Sequence, residues 1–354
     1  MFKYKFSTVP LIFFFGIIVL FWCEPLTAQK ISGMSFSGPE KPSLKVEMFE
    51  SIKVSNADWI ALIPEAILDR TTLKLKEDST NHWWGQTIEA NVQGIKLAKE
   101  AGFKVFLKPH IVLGKIPEKD NNKKSVKDKT KGAEWRGDFA ATNEADWQII
   151  EKSYETYIIK LATVAADLEV DMFSVGTELR LFATKRPAFW RKLIQKVRNI
   201  YSGPLTYSAN WDEYQKIPFW QLLDYIGVDT YFPVNRMETP DLKKTLKNWQ
   251  SIQKQMKKLS KREDKKILLT EFGYRNVAYA GKRPWTHNKG PAIVNNQAQV
   301  NLYKAFFQTF WKEKWVAGGF AWKWFYEPQE ANNTSFSIRG KPALSVVQKW
   351  YADK

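Results

Sequence analysis

Ile267-Leu268-Leu269-Thr270-Glu271-Phe272-Gly273 is an apolar run that follows two lysines and carries no charge until Glu271. A run this short and this apolar reads as a strand buried on both faces, the kind found in parallel sheets. Met172-Phe173-Ser174-Val175-Gly176-Thr177-Glu178 repeats the form, again with a glutamate at its C-terminal end. Further runs over 31–36, 58–63, 104–108, 205–209, 225–229 and 318–322 share the composition. With 172–177 and 267–271 they make eight expected strands.

Between the strands, apolar residues recur at three- and four-residue steps over 87–101, 146–166, 188–201 and 297–315, the spacing of helices with one buried face. Gly102 stops one of these helices, and Gly203-Pro204 follows another. Strands alternating with helices predict a parallel sheet wrapped by helices. Eight such units, with no glycine-rich phosphate turn over 35–40, favour a closed single-domain (β/α)8 TIM barrel over an open doubly wound sheet. The loops after the strands build the functional face of a barrel, so the aromatics of 135–138 and 274–296 are expected to line one cleft.

The chain has 354 residues, 44% hydrophobic and 15% aromatic, enough apolar material for one large core. Residues 1–28 stand apart from it. Lys3 and Lys5 precede an uncharged run over 9–23, shorter than the roughly 20 residues of a spanning helix, and Ala28 offers a cleavage edge. This is the form of a secretory signal, which leaves 29–354 as the (β/α)8 domain. Leu26 is large for the third position before a cut, so an uncleaved membrane anchor is the alternative. Cys23, the sole cysteine, is a poor lipid acceptor behind the bulky Trp22. The expected location is secreted, periplasmic or cell-envelope associated, and the expected state a monomer held together by packing alone.

A formal net charge of +17 invites a nucleic-acid partner. Much of that charge falls in a polar loop over 115–131 and in 243–266, where lysines alternate with Leu242, Leu246, Trp249, Ile252 and Met256 at helical spacing. That is the pattern of a solvated helix face, and no nucleic-acid motif accompanies it, so no such partner is expected. His82, His110 and His287 are the only histidines and have no ligand spacing, so no metal or other cofactor is expected.

A glutamate at the end of a barrel strand is poorly explained by packing, because a buried unpaired carboxylate costs several kcal/mol. Glu178 or Glu271 alone could be a partner for Arg180 or Arg275. Together they carry more, since the fourth and seventh strands face each other across the ring. Retaining glycosidases use that arrangement, with two carboxyl groups roughly 5–5.5 Å apart, one the proton donor and one the nucleophile.

Gly176-Thr177-Glu178, Thr270-Glu271-Phe272-Gly273 and Gly318-Gly319-Phe320-Ala321-Trp322 together resemble the retaining (β/α)8 glycosidase clan. Within it the chain is most similar to glycoside hydrolase family 113, whose Lys-Pro-His pattern is matched by Lys108-Pro109-His110. The resemblance runs from about residue 31 to about residue 350. It implies endo-β-1,4-mannan hydrolysis by double displacement, with Glu178 as acid/base, Glu271 as nucleophile and a β-linked polysaccharide or oligosaccharide as substrate. Thr177 stands where most of the clan has an asparagine for the sugar 2-hydroxyl; family 113 shares that departure, which leaves the contact unassigned.

The same resemblance places an aromatic platform on the eighth strand, at Trp322 or Trp324, with Trp322 expected to face the barrel axis. It also assigns Tyr231 to the nucleophile carboxylate. Asn210 and Trp211 are candidates for sugar contacts, or equally for capping the helix that follows. His110 is a candidate substrate contact through a neutral imidazole, Arg136 a candidate bridge to sugar hydroxyls, and Trp84, Trp135 and Trp285 candidate subsite platforms. Core packing is the competing reading for each tryptophan, since the chain has 16 of them. Three other functions stay open at this level: a hydrolase of another β-glycan, a β-mannosidase, and a non-catalytic carbohydrate-binding barrel.

Overall fold

The computed structural model describes Met1 and residues 29–353, apart from residues 40, 78–84, 86, 115–134, 288–291, 329 and 331–332. Residues 2–28 of the stretch read as a secretory signal, the lysine-rich stretch over 115–131 and Trp84 therefore lie outside the described residues. Among the described residues eleven strands run in chain order as β1 (Ile31–Ser37), β2 (Trp59–Leu62), β3 (Glu65–Leu68), β4 (Leu75–Lys76), β5 (Lys104–Leu107), β6 (His110–Leu113), β7 (Met172–Thr177), β8 (Leu205–Asn210), β9 (Ile226–Asp229), β10 (Ile267–Phe272) and β11 (Val316–Phe325). Eight of them close a barrel in the order β1-β11-β10-β9-β8-β7-β5-β2, every neighbouring pair parallel. These are the eight strands expected from the sequence, and the chain is a (β/α)8 TIM barrel.

The helices form where the apolar spacing put them, and short polar residues start the long ones. Thr87, Asn143, Asp241 and Asn295 each accept a hydrogen bond from the backbone N–H three residues on, capping Ile88–Glu100, Glu144–Asp167, Leu242–Glu263 and Asn296–Phe310. Leu242–Glu263 buries Thr245, Trp249, Met256 and Leu259 and leaves its lysines exposed, so the basic run is a solvated face. Among the described residues, no helix is long and apolar enough to cross a membrane.

Apolar side chains fill two zones. A small cluster inside the ring holds Ile31, Trp59, Phe106, Met172, Leu268 and Phe320; the larger one lies between sheet and helices. Inward-facing residues continue at two-residue steps toward the strand C-termini, where the apolar plug gives way to charged groups.

Two features of the frame were not expected. After β2 and β5 the chain meets Pro64 and Pro109, which lack the N–H that a ladder needs, and both strands break there. They resume outside the ring as β3 and β6, which pair in parallel from Glu65 opposite His110 and form a small sheet with β4. The break leaves Lys108 two residues beyond the inward-facing Phe106, aimed at the mouth of the barrel. The second feature is a bulge in β11: Met34 pairs with Ala321 but Phe36 pairs with Trp324, so β11 carries one extra residue.

Candidate active site

The site is assembled from charged residues at strand ends. Lys108 is fully buried, and its ammonium donates to Glu271 Oε1 and lies 3.5 Å from Asp229 Oδ1. Thr270 Oγ1 donates to Asp229 Oδ1 at 2.6 Å, and Tyr231 Oη donates to Glu271 Oε2 at 2.7 Å. Burial alone would raise the proton affinity of the Glu271 carboxyl, but the charge and hydrogen bond of Lys108 outweigh it and hold the group well below the usual carboxylate range. Asp229 moves the other way, pushed up by its complete burial and by the Glu271 charge. Burial and the same charge raise the Tyr231 phenol far above its ordinary range, so it remains a donor to an ionised Glu271.

His110 sits against this group, with Nε2 3.5 Å from Glu271 Oε1, too long for a good hydrogen bond. Burial, Arg136 and Lys108 together lower its pKa to about 3, which keeps the imidazole neutral. Its ring stacks on Trp322 at 6.2 Å between centroids, only 8° from parallel.

Glu178 follows β7 in a left-handed backbone conformation, φ 55°. A non-glycine residue held there carries roughly 1–3 kcal/mol of strain, a cost that tends to concentrate at functional sites. Two positions earlier, Gly176 leaves room for the aromatic layer behind the strand, because a Cβ there would lie 2.5 Å from Tyr154 Oη and 2.8 Å from the Trp190 ring. Arg136 donates to Glu178 Oε2 from Nη2 at 3.1 Å and Nε at 3.3 Å, and Trp135 Nε1 reaches the same oxygen at 3.4 Å. The third nitrogen of Arg136 donates to the Ile111 carbonyl at 3.1 Å. Among the described residues Glu178 Oε1 has no hydrogen-bond partner, so it is the oxygen available to a ligand.

Glu178 and Glu271 line one cavity of about 1150 Å³, together with His110, Trp135, Arg136, Asn210, Trp211, Tyr231, Trp285 and Trp322. Its walls include Ser37 at the end of β1, Pro39 beyond it and Trp211 after β8. Those strands are four places apart in an eight-strand ring, so the cavity spans the whole mouth. The sequence profile of Glycoside Hydrolase Family 113 matches residues 40–341. The chain belongs to glycoside hydrolase family 113.

Solved structures agree on the fold. A complex of a family 113 β-1,4-mannanase superposes with a TM-score of 0.74 at 22% identity, covering 92% of this chain and 100% of the other. The family 113 β-mannanase AaManA from Alicyclobacillus acidocaldarius, in complex with ManMIm, gives 0.71 at 23% identity over 92% and 98%. A β-glucuronidase from Faecalibacterium prausnitzii gives 0.61 at 14% identity over 92% of this chain and 49% of that one. No curated protein sequence matches the chain.

In this family 113 hydrolase several side chains differ from their sequence-based expectation. Trp324 does not reach the cavity: the β11 bulge turns it to the outer face, where it is fully buried, donates to Ser51 Oγ at 2.9 Å and lies under the Arg339 guanidinium. Arg136, expected to bridge sugar hydroxyls, is committed to Glu178 and a carbonyl. Trp211 and Trp285, read as separate contacts, stack on each other at 5.3 Å and 21° and form one ledge. Among the described residues the Thr177 hydroxyl is buried without a partner, and it is not among the cavity-lining groups, whereas Asn210 on the neighbouring strand is.

The sequence reading gave no role to Asp229, Glu213 or Lys323, and reached Lys108 only through the family motif. A signal for two of them was present. Lys108 and Asp229 end strands that are otherwise nearly uncharged, as Glu178 and Glu271 do. Lys323 lines the cavity beside Trp322, donates to Ser37 Oγ at 3.3 Å and has its pKa lowered by burial.

Proposed function

We propose that this hydrolase cleaves β-1,4-mannan internally by double displacement, with Glu271 as nucleophile and Glu178 as acid/base. The observation that carries the assignment is the different setting of the two carboxylates. Glu271 is clamped by Lys108 and Tyr231 and stays ionised, as an attacking carboxylate must be. Glu178 keeps one oxygen free toward the cavity, as a group that exchanges a proton with the substrate must.

In the first step a Glu271 oxygen attacks the anomeric carbon while Glu178 gives its proton to the departing glycosidic oxygen, so one C–O bond forms as the other breaks. In the second, Glu178 takes a proton from water, and that oxygen displaces Glu271 from the sugar. The net result is hydrolysis with the starting anomeric configuration and both carboxyl groups restored. Trp322, half-buried and held parallel to His110, offers a flat face for the reacting sugar. An endo mode is supported by a cavity that continues from the Trp211–Trp285 ledge across to the residues after β1. The mannan preference is supported by the family and by the named activity of its solved members.

Incubation with mannan, glucomannan, cellulose and xylan tests substrate and mode together: the reading expects mid-length oligosaccharides from the first two polymers. Release of monosaccharide alone, or attack on cellulose or xylan alone, contradicts it. The roles separate by azide rescue on an activated aryl β-glycoside. Glu178→Ala should yield the β-azide and Glu271→Ala the α-azide, and the opposite pairing reverses the assignment.

A further inference from the structure

We infer that Glu213 is a positioning residue for the acid/base: acting through Tyr207, it fixes the backbone turn from which Glu178 projects. The inference rests on the acid/base role proposed for Glu178 and concerns how that side chain is held.

Glu213 lies three residues past Asn210, the last residue of β8, on the loop that carries Trp211. It is fully buried, and its Oε1 accepts the Asn210 backbone N–H at 2.9 Å and the Tyr207 hydroxyl at 3.4 Å. Tyr207 in turn accepts the Leu179 backbone N–H at 2.7 Å. On the other side of Glu178, its own N–H donates to the Ser208 carbonyl at 2.8 Å. Both peptide N–H groups that flank the left-handed Glu178 are thus tied to β8, one through the backbone and one through the Tyr207–Glu213 pair.

A carboxyl that served only its own loop would end at Asn210. This one also orients the Tyr207 hydroxyl so that its lone pair, not its proton, faces Leu179. Without the Glu213 acceptor the hydroxyl has no fixed direction, and the turn loses one of its two anchors. The Glu213 carboxyl is pushed well above the usual range, chiefly by burial, with the Asn210 N–H opposing and the Glu178 charge adding. Among the described residues its Oε2 is buried without a partner.

Because the effect acts on proton delivery, it has a signature that general loosening of the fold lacks. The experiment compares Glu213→Ala, Glu213→Gln and Tyr207→Phe with Glu178→Ala on aryl β-mannobiosides whose leaving groups range from activated to poor. For Glu213→Ala and Tyr207→Phe, kcat/KM should fall roughly 10–100-fold on the poor leaving group, a part of the ~10²–10⁴ that acid/base catalysis supplies, and less than about threefold on the activated one. The double variant should be no worse than the weaker single. Glu213→Gln, whose amide oxygen can accept both hydrogen bonds, should stay near the native rate. Affinity for mannotriose product, read by calorimetry, should not change.

Equal loss on every leaving group, or a Glu213→Gln variant as impaired as the alanine, overturns the inference. If Glu213→Ala does not fold, Tyr207→Phe and Glu213→Gln carry the same test. Should Glu178→Ala itself show no leaving-group dependence, the acid/base assignment fails; should it show dependence that the Glu213 and Tyr207 variants lack, only the positioning role fails.

Discussion

Replacing Lys108 with methionine removes the cation that holds the nucleophile ionised while keeping the volume of the side chain. Lys108 and Asp229 are wholly inaccessible and Glu271 is 6% exposed, so neither carboxylate gains water in exchange. Breaking one partner out of a buried ion pair costs about 3–5 kcal/mol. At about 1.4 kcal/mol per pKa unit, that corresponds to roughly 2–4 units of upward movement for the carboxyl left behind. The acidic limb of kcat/KM against pH, which reports the free enzyme, should move up by about that amount.

Stability follows with a definite sign. The Glu271 pKa is depressed on folding, so its contribution is present above the ordinary carboxylate pKa and is lost as pH falls through the folded value. In Lys108→Met the same group is raised on folding and opposes it at neutral pH. The stability gap between the native protein and the variant should therefore be widest near pH 7 and narrow on acidification. Urea unfolding at several pH values, run beside the pH–rate profile, measures both. An unmoved acid limb together with a gap independent of pH would refute the clamp.

Tyr231→Phe removes a hydrogen bond to an ionised group, worth about 1.5–3 kcal/mol, so kcat/KM should fall roughly 10–150-fold with little change in melting temperature. A loss below threefold would show that the phenol does not support Glu271. Trp285→Ala breaks the ledge with Trp211, and at about 0.5–1.5 kcal/mol for a stacked pair KM for long mannooligosaccharides should rise roughly 2–10-fold while kcat holds. A fall in kcat instead would place the ledge at the reacting sugar. Gly273→Ala would put a Cβ 2.3 Å from the Trp322 carbonyl oxygen, so strain of about 1–3 kcal/mol and a displaced platform are expected. An unchanged melt and rate would contradict that close approach.

The barrel was legible because its signal is local. Each barrel strand is a short, nearly uncharged run, the long helices show their own apolar period, and eight repeats leave few topologies. The glutamates were legible for the same reason, since Glu178 and Glu271 break otherwise apolar strands. What escaped depends on partners far away in sequence. Arg136 reads as a free loop cation until β7 brings Glu178 beside it, and Glu213 reads as one more polar residue after a strand until Tyr207 is seen between it and Leu179. That Trp322 and not Trp324 reaches the cavity agrees with the favoured reading, but its cause was hidden, because the extra residue in β11 shows only in the register with β1. The outer strands β3 and β6 follow from Pro64 and Pro109, visible in the chain as breaks but not as the start of a second sheet.

A slow substrate, an activated aryl glycoside of mannobiose bearing 2-deoxy-2-fluoro at the reacting sugar, tests the central claim most directly. It should inactivate the enzyme, and mass mapping of the digest should find the sugar esterified to the peptide that contains Glu271. Turnover with no covalent adduct, or an adduct on Glu178, would contradict the account.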